Sequence, residues 1–471
     1  MATPFSRGTS VFFAFLLAAV TTLPGDGLPI KAPTAVGMNA ERLETIDRVI
    51  QRGLDAGGYP GAAVVVGRKG ASVWQKGFGH LGWTADSPAV DPDQSIYDLA
   101  SLTKVIGTTT AAMILFDEGK LVLDEKVSHY IPAFGGGDKD QMTVRMLLEH
   151  RSGFPAGRDL WRHAHTPEEA RQLVYDTPLE YKPDHGQVYS DLGADMLGWV
   201  VEGAAGMPLD QFLATRVFTP LGMHDTGFRP SDSLKYRIAP TEVSPPRGYP
   251  IRGEVHDENA FALGGVAGHA GLFGTASDLA VFAQMMLNGG TYDGTRIVAD
   301  STVRLFTARA SGDRALGWEV ADGTHGAGSY LSGSAYGHTG FTGTSIWIDP
   351  EREMFVILLT NRVHAARAKR PAKVISDVRA DLADAAALAV TDANLAVAEM
   401  PVSFRADRAV GWNKAVRVAR SVRRKAVIVK KPAAITKAKP KATTTAAKTP
   451  VKKKVVARKT AVQKPKEKAK K

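Results

Sequence analysis

The sequence predicts an α/β chain of the α+β kind, with one sheet assembled from segments far apart along the chain. Two observations carry this reading. Strand-like apolar runs occupy residues 61–78 and return at 316–360, whereas the stretch between them is patterned as helices and Gly/Pro-rich loops. Strands at both ends with helices between them imply one mixed sheet built from distant segments. A third observation limits the folded part: beyond about Val410 the chain becomes a repeat of Lys, Ala, Pro, Thr and Val with no aromatic after Trp412, too poor in apolar groups to offset chain entropy.

Taken in order, Arg7 precedes the apolar run Val11–Val20, which exits through Thr21-Thr22-Leu23-Pro24-Gly25. A positive charge, a short apolar stretch and a turn-prone exit read as a secretory signal peptide over 1–25. No clean Ala-x-Ala precedes the exit, so an uncleaved anchor is the alternative. Leu43, Ile46, Val49, Ile50 and Leu54 recur at helical spacing and predict a helix from Met38 to Ala56. Gly61–Arg68 and Ala71–Phe78 read as strands joined at Lys69-Gly70. Leu102, Val105, Ile106, Met113 and Phe116 line one face of a buried helix stopping at Gly119. A helix is expected over Thr275–Asn288, capped by Thr275 or Ser277. Strands follow at Leu316–Val320, Ala335–Thr339, Thr344–Asp349 and Met354–Thr360, then a helix over about Lys373–Leu388. The body is thus placed at 34–390, with a helical insertion at about 121–260, a linker at 391–413 and a disordered tail at 414–471.

Composition excludes some chemistry. There is no cysteine among the 471 residues, so disulfides, thiolate metal sites and a thiol nucleophile are ruled out. The net charge of +11 hides a split: of 59 basic and 48 acidic residues, 22 basic and one acidic lie in 414–471, making the tail +21 and the rest −10. No Gly-x-Ser-x-Gly elbow occurs. His163-x-His165 and His256-Asp257-Glu258 lack the spacing of a zinc motif and read as loop histidines. His269, in a Gly-rich loop, is a candidate to approach the cleft. No cofactor or metal is implied.

One stretch carries chemistry. Ser101-Leu102-Thr103-Lys104, the single Ser-x-x-Lys of the chain, opens a helical pattern and sets a lysine one turn from a serine on the same face. A nearby base makes the serine hydroxyl nucleophilic, and a helix start favours a developing oxyanion. Tyr189-Ser190-Asp191 follows at the start of another helical pattern, and His338-Thr339-Gly340 lies on a predicted strand. A phenol beside the serine and lysine relays a proton, and a strand ending in Thr-Gly lays its backbone along a substrate, with the Phe341 N–H as an oxyanion donor.

In this order and at these separations the three motifs resemble the serine β-lactamase-related superfamily: class C β-lactamases, DD-peptidases and related esterases. The resemblance covers roughly Ala40–Leu388. Leu147–Phe154, Gly265–Thr275, Phe341–Thr344 and Leu359–His364 add to it, the last two pointing to the penicillin-binding protein 4B-like branch. It implies a β-lactamase/transpeptidase-like fold: a central antiparallel sheet flanked by helices and a mostly helical subdomain. It also implies that Ser101 is the nucleophile, that Lys104 assists its deprotonation, that Tyr189 is the second base or proton shuttle, and that His338, Thr339 and Gly340 line the substrate. The Ser101 and Phe341 N–H groups would form the oxyanion hole. Two positions depart from the pattern. Asp191 stands where Asn is usual and would hold Lys104 cationic; His338 stands where class C enzymes carry lysine. Both shift the expectation from a β-lactamase toward an exported DD-peptidase-like hydrolase or esterase acting on D-alanyl peptides or small esters. A class C-like lactamase is the alternative, and a catalytically weak envelope-binding module is an alternative of another kind. The protein is expected to be periplasmic or secreted.

A lysine-rich tail binds polyanions by releasing their counterions, without reading sequence. In an exported protein the partners expected are anionic envelope polymers or lipid headgroups, with no specific nucleic-acid recognition. Deleting Lys414–Lys471 is expected to weaken retention on anionic envelope material at low salt while ester turnover is unchanged, measured by co-sedimentation and a nitrophenyl-ester assay.

Overall fold

The computed structural model describes residues 27–323, 325–364, 371–392 and 399–413. The expected signal peptide and tail lie outside the described residues. The main sheet comprises β1 (Gly61–Arg68), β2 (Ala71–Gly79), β3 (Glu319–Val320), β4 (Tyr336–Thr339), β5 (Ser345–Asp349) and β6 (Met354–Thr360), in spatial order β2-β1-β6-β5-β4-β3. Every pairing in it is antiparallel, not mixed. The chain-distant first and last strands lie side by side, with Val64 opposite Leu358. Five helices matter below: α1 (Thr45–Asp55), α2 (Thr110–Asp117), α3 (Asp191–Ala205), α4 (Ala276–Leu287) and α5 (Ala372–Leu388).

The sheet is covered on both faces, which is why β1 and β6 read as unbroken apolar runs rather than as alternating ones. Ala63, Val65, Phe355, Ile357 and Leu359 point into the larger core, shared with α2, α3 and α4. Ala62, Val64, Val66, Met354, Val356 and Leu358 point the other way, into a core closed by α1 and α5.

The structure corrects three expectations and decides between the two caps expected for α4. The first helix is broken: a short turn over Ala40–Leu43, capped by the Asn39 side chain, precedes α1. The strand expected from Leu316 is paired only at Glu319–Val320. Gly317 has φ +85, and a Cβ there would sit 2.1 Å from Thr109 Oγ1, so the chain turns to press against the helix beneath. Thr275, not Ser277, caps α4, its hydroxyl accepting from Asp278 N at 3.2 Å. Finally, the region expected to be a linker (391–413) is partly folded. Phe404, Ala406 and Trp412 are buried in the second core. Arg405 donates to Asp381 and Asp384 of α5, and Trp412 Nε1 donates to Asp377 Oδ2 at 2.8 Å.

That anchoring gives a stability prediction. Trp412→Ala removes a buried indole and the donor to Asp377, and is expected to destabilise the protein by about 3 kcal/mol, read from urea unfolding midpoints.

Candidate active site

Ser101 sits on a strained turn. Ala100, directly before it, has φ +48, a region that costs a residue bearing a Cβ about a kilocalorie per mole or more. The turn tightens through Leu102 N to Leu99 O (3.1 Å), Thr103 N to Ala100 O (3.0 Å) and Lys104 N to Ser101 O (3.1 Å). A π-helical stretch over Thr103–Thr109 then leads into α2, where the sequence pattern predicts an uninterrupted helix. All seven residues of that stretch are buried, and Thr108 Oγ1 donates to Gly268 O at 2.7 Å.

Lys104 is the hub. Its buried Nζ donates to Ser101 Oγ at 3.1 Å, to Asp191 Oδ1 at 2.7 Å and to the His269 carbonyl at 3.2 Å. It also lies 4.9 Å from the centre of the Tyr189 ring. Burial works against the ammonium, but the Asp191 carboxylate and Tyr189 outweigh it, and the Lys104 pKa is raised above its ordinary value. Asp191 answers in kind: desolvation pushes its carboxyl up, yet Lys104 and His269 bring it below the usual range. It opens α3, where Ser190 caps the helix by accepting from Gly193 N at 3.1 Å and donates its own proton to Pro155 O at 2.6 Å.

His269 arrives on a Gly-rich loop, 265–271, that leads into a short strand at Leu272–Gly274. Gly268 lies so close to α3 that a Cβ would meet Ala194 O at 2.0 Å. This approach places the buried His269 ring between two carboxylates, Nδ1 at 2.7 Å from Asp195 Oδ1 and Nε2 at 2.9 Å from Asp257 Oδ1. Despite burial, those partners hold its pKa well above the ordinary value.

The other wall of the site is the β4–β5 turn. A Cβ on Gly340 would fall 2.1 Å from Thr344 Oγ1 and 2.6 Å from Leu99 O, so only glycine lets this turn approach the serine loop. Two hydroxyls bind the loops together: Thr342 Oγ1 donates to Asp98 O at 2.7 Å and Thr344 Oγ1 to Leu99 O at 3.0 Å. Between the walls lies a cleft of about 390 Å³ lined by Ser101, Tyr189, His338, Thr339, Gly340 and Phe341, with Arg314, Glu319, Arg362 and Arg379 at its sides.

All eight residues singled out from the sequence therefore converge. Six face the cleft, while Lys104 lies behind Ser101 and Asp191 behind Lys104. His338 lines the cleft with little of its side chain open: it is 2% exposed and its ring packs 5.8 Å from that of Tyr189. Its Nδ1 is 2.8 Å from Thr339 O, and Nε2 lies 4.0 Å from Glu319, beyond hydrogen-bond reach. Burial, with Lys104 and Arg314 nearby, pushes its pKa down to about 3, so it presents a neutral imidazole. His163 and His165 are exposed, and His256 Nε2 lies 2.7 Å from Glu242 Oε1. Among the described residues no group of His, Asp and Glu is arranged to hold a metal ion.

Arginines of the cleft were not anticipated. Arg314 lies 5.3 Å from the Tyr189 ring centre and 3.3 Å from Glu319, and its Nη1 has no acceptor among the described residues. Arg379 of α5 donates to the carbonyls of Gly340 (2.6 Å) and Thr344 (2.8 Å). Its Nε likewise finds no acceptor, and burial with Arg362 close by lowers its pKa to about 9. Neither residue sits in a motif, so only the folding of distant segments reveals them.

A helix-and-antiparallel-sheet body with a serine–lysine pair at its cleft defines a serine hydrolase of the penicillin-binding type. The family model described as Beta-lactamase matches residues 46–379, and the chain belongs to that family. A relative named "Putative D-alanyl-D-alanine carboxypeptidase" from Escherichia coli (strain K12) is 34% identical over 396 residues, covering 76% of this chain and 91% of the relative. One of the same name from Salmonella agona is 36% identical over 375 residues, covering 72% and 87%. Among solved structures, a penicillin-binding protein homologue from Caulobacter crescentus superposes with a TM-score of 0.61 at 20% identity, covering 74% of this chain and 98% of that one. EstCE1, a hydrolase with promiscuous acyltransferase activity, superposes at 0.58 and 23% identity, covering 73% and 98%. At these identities the two structures speak for the fold.

The neutral His338 makes stability depend on pH. The folded ring stays neutral to about pH 3, whereas the unfolded one binds a proton below about 6.5. Between those values the unfolded state holds more protons, so stability rises with pH and is lost on acidification. His338→Asn is expected to flatten the unfolding free energy between about pH 6 and pH 4 by up to one proton, about 1.4 kcal/mol per pH unit, measured by chemical denaturation across that range.

Proposed function

We propose that the protein is an exported serine hydrolase of DD-carboxypeptidase type, acting through an acyl-Ser101 intermediate on D-alanyl peptides and on small esters. The observation that carries this reading is the 3.1 Å contact of Lys104 Nζ with Ser101 Oγ at the floor of a cleft flanked by the guanidinium groups of Arg314 and Arg379. Positive charge lining the cleft complements the free carboxylate of a C-terminal D-alanine. Relatives named for D-alanyl-D-alanine carboxypeptidase activity, matched over most of their length, support the same choice.

Ser101 Oγ attacks the scissile carbonyl carbon while its proton leaves toward Tyr189, whose ring lies beside Lys104 Nζ. Asp191 keeps Lys104 an ammonium, so Tyr189 acts as a relay: its oxygen accepts the serine proton as its own phenolic proton passes to the leaving amine or alcohol. The Ser101 and Phe341 N–H groups stabilise the tetrahedral oxyanion. Water then attacks the acyl-enzyme by the reverse proton route, releasing the acid and restoring Ser101. His338, neutral and packed on Tyr189, orients the phenol. A class C-type lysine is missing from its position, which favours peptides and esters over β-lactams.

The decisive test compares a D-Ala-D-Ala peptide, a chromogenic cephalosporin and a short-chain nitrophenyl ester with wild type, Ser101→Ala and Lys104→Ala. Peptide and ester turnover is expected to fall at least about 10³-fold in both variants, with mass spectrometry placing the acyl group on Ser101. Turnover or labelling that survives Ser101→Ala overturns the assignment, and faster lactam than peptide turnover makes the protein a lactamase.

A further inference from the structure

Asp98 is a buried acid that none of these steps uses. It lies three residues before the nucleophile, is 3% exposed, and its two oxygens serve different segments. Oδ1 accepts from Ala100 N at 2.8 Å, and Oδ2 accepts from His256 N at 2.6 Å. Its own carbonyl accepts from the Thr342 hydroxyl at 2.7 Å. Burial pushes its carboxyl above the ordinary range, with the His256 and Ala100 contacts opposing that rise. A buried carboxyl is costly to keep unless its oxygens are hydrogen-bonded.

Those contacts meet both halves of the oxyanion hole. On one side, the bond to Ala100 N holds the φ +48 conformation that aims the next N–H, that of Ser101. On the other, Thr342 follows Phe341 directly, and the His256 ring is stacked against the Phe341 ring at 5.8 Å and 22°. The residue thus touches the neighbour of each donor and neither donor itself.

We propose that Asp98 is the positioning residue of the oxyanion hole, setting the Ser101 and Phe341 N–H groups at the separation that a tetrahedral oxyanion requires. The inference rests on the acyl-Ser101 reading above. It separates Asp98 from a packing role because misaligned donors weaken binding of the tetrahedral state more than binding of the planar substrate. Asparagine keeps one acceptor oxygen and turns an N–H₂ toward the second N–H; alanine keeps neither.

The test uses the full chain, a nitrophenyl ester as substrate and phenylboronic acid as a tetrahedral probe captured by Ser101. Asp98→Ala is expected to lower kcat about 100-fold and to weaken phenylboronic acid inhibition by a similar factor, with KM changed less than about threefold. Asp98→Asn is expected to fall between wild type and Asp98→Ala on both scales. Should Asp98→Ala not fold, Asp98→Asn carries the same expectation at about tenfold. Variants that fold and keep kcat and boronate inhibition within threefold of wild type overturn the proposal. So does a loss confined to KM. Absence of Ser101-dependent turnover in the wild type is a different result: it removes the acyl-enzyme reading itself.

Discussion

The site depends on one buried ammonium. Lys104 is buried, so its Nζ donors need acceptors from the protein. Ser101 Oγ, Asp191 Oδ1 and the His269 carbonyl provide them. These acceptors come from three parts of the chain: the serine turn, the start of α3 and a Gly-rich loop. Satisfying one cation therefore fixes where α3 begins relative to the nucleophile and how closely the loop at His269 must press on it. Gly268, against Ala194 O, is the steric consequence.

Charge is layered behind the reacting atoms. The Asp191–Lys104 pair lies immediately behind the serine, and the Asp195–His269–Asp257 group lies behind that. Asp191 and Asp195 are one turn apart on α3, so a single helix face supplies an acid to each layer. Both ring nitrogens of His269 face carboxylates, so the cation among them keeps the acids from accumulating unpaired charge. On the cleft side the order reverses, with the neutral His338 ring, packed beside Tyr189, flanked by guanidinium groups. A carboxylate-bearing ligand would thus meet positive charge at the mouth while Asp191 stays screened by Lys104.

The second wall obeys geometry more than charge. The β4–β5 turn carries Gly340, Thr342 and Thr344 against the carbonyls of Asp98 and Leu99. Hydroxyl-to-carbonyl bonds of this kind leave no slack between the serine turn and the strand edge, which is what two oxyanion donors from separate segments need. The sheet can hold that edge still because it is buried on both faces.

Much of this was legible in the amino-acid sequence. Apolar runs of strand length placed β1, β2, β5 and β6, since a strand buried on both faces leaves a local signature. The spacing of Ser101, Lys104, Tyr189 and His338-Thr339-Gly340 identified the chemistry because each motif is local. The π-helical stretch at Thr103–Thr109, the short β3 and the docking of Trp412 on α5 were not legible, because each is set by a contact with a distant segment. The same holds for the site. Sequence alone singled out Ser101, Lys104 and Tyr189, as hydroxyl, ammonium and phenol declare themselves by type and spacing. Tertiary structure alone decided the surroundings of these groups: the neutral His338, the arginines of the cleft and the contacts of buried Asp98 all arise from burial and through-space neighbours, which no local pattern encodes.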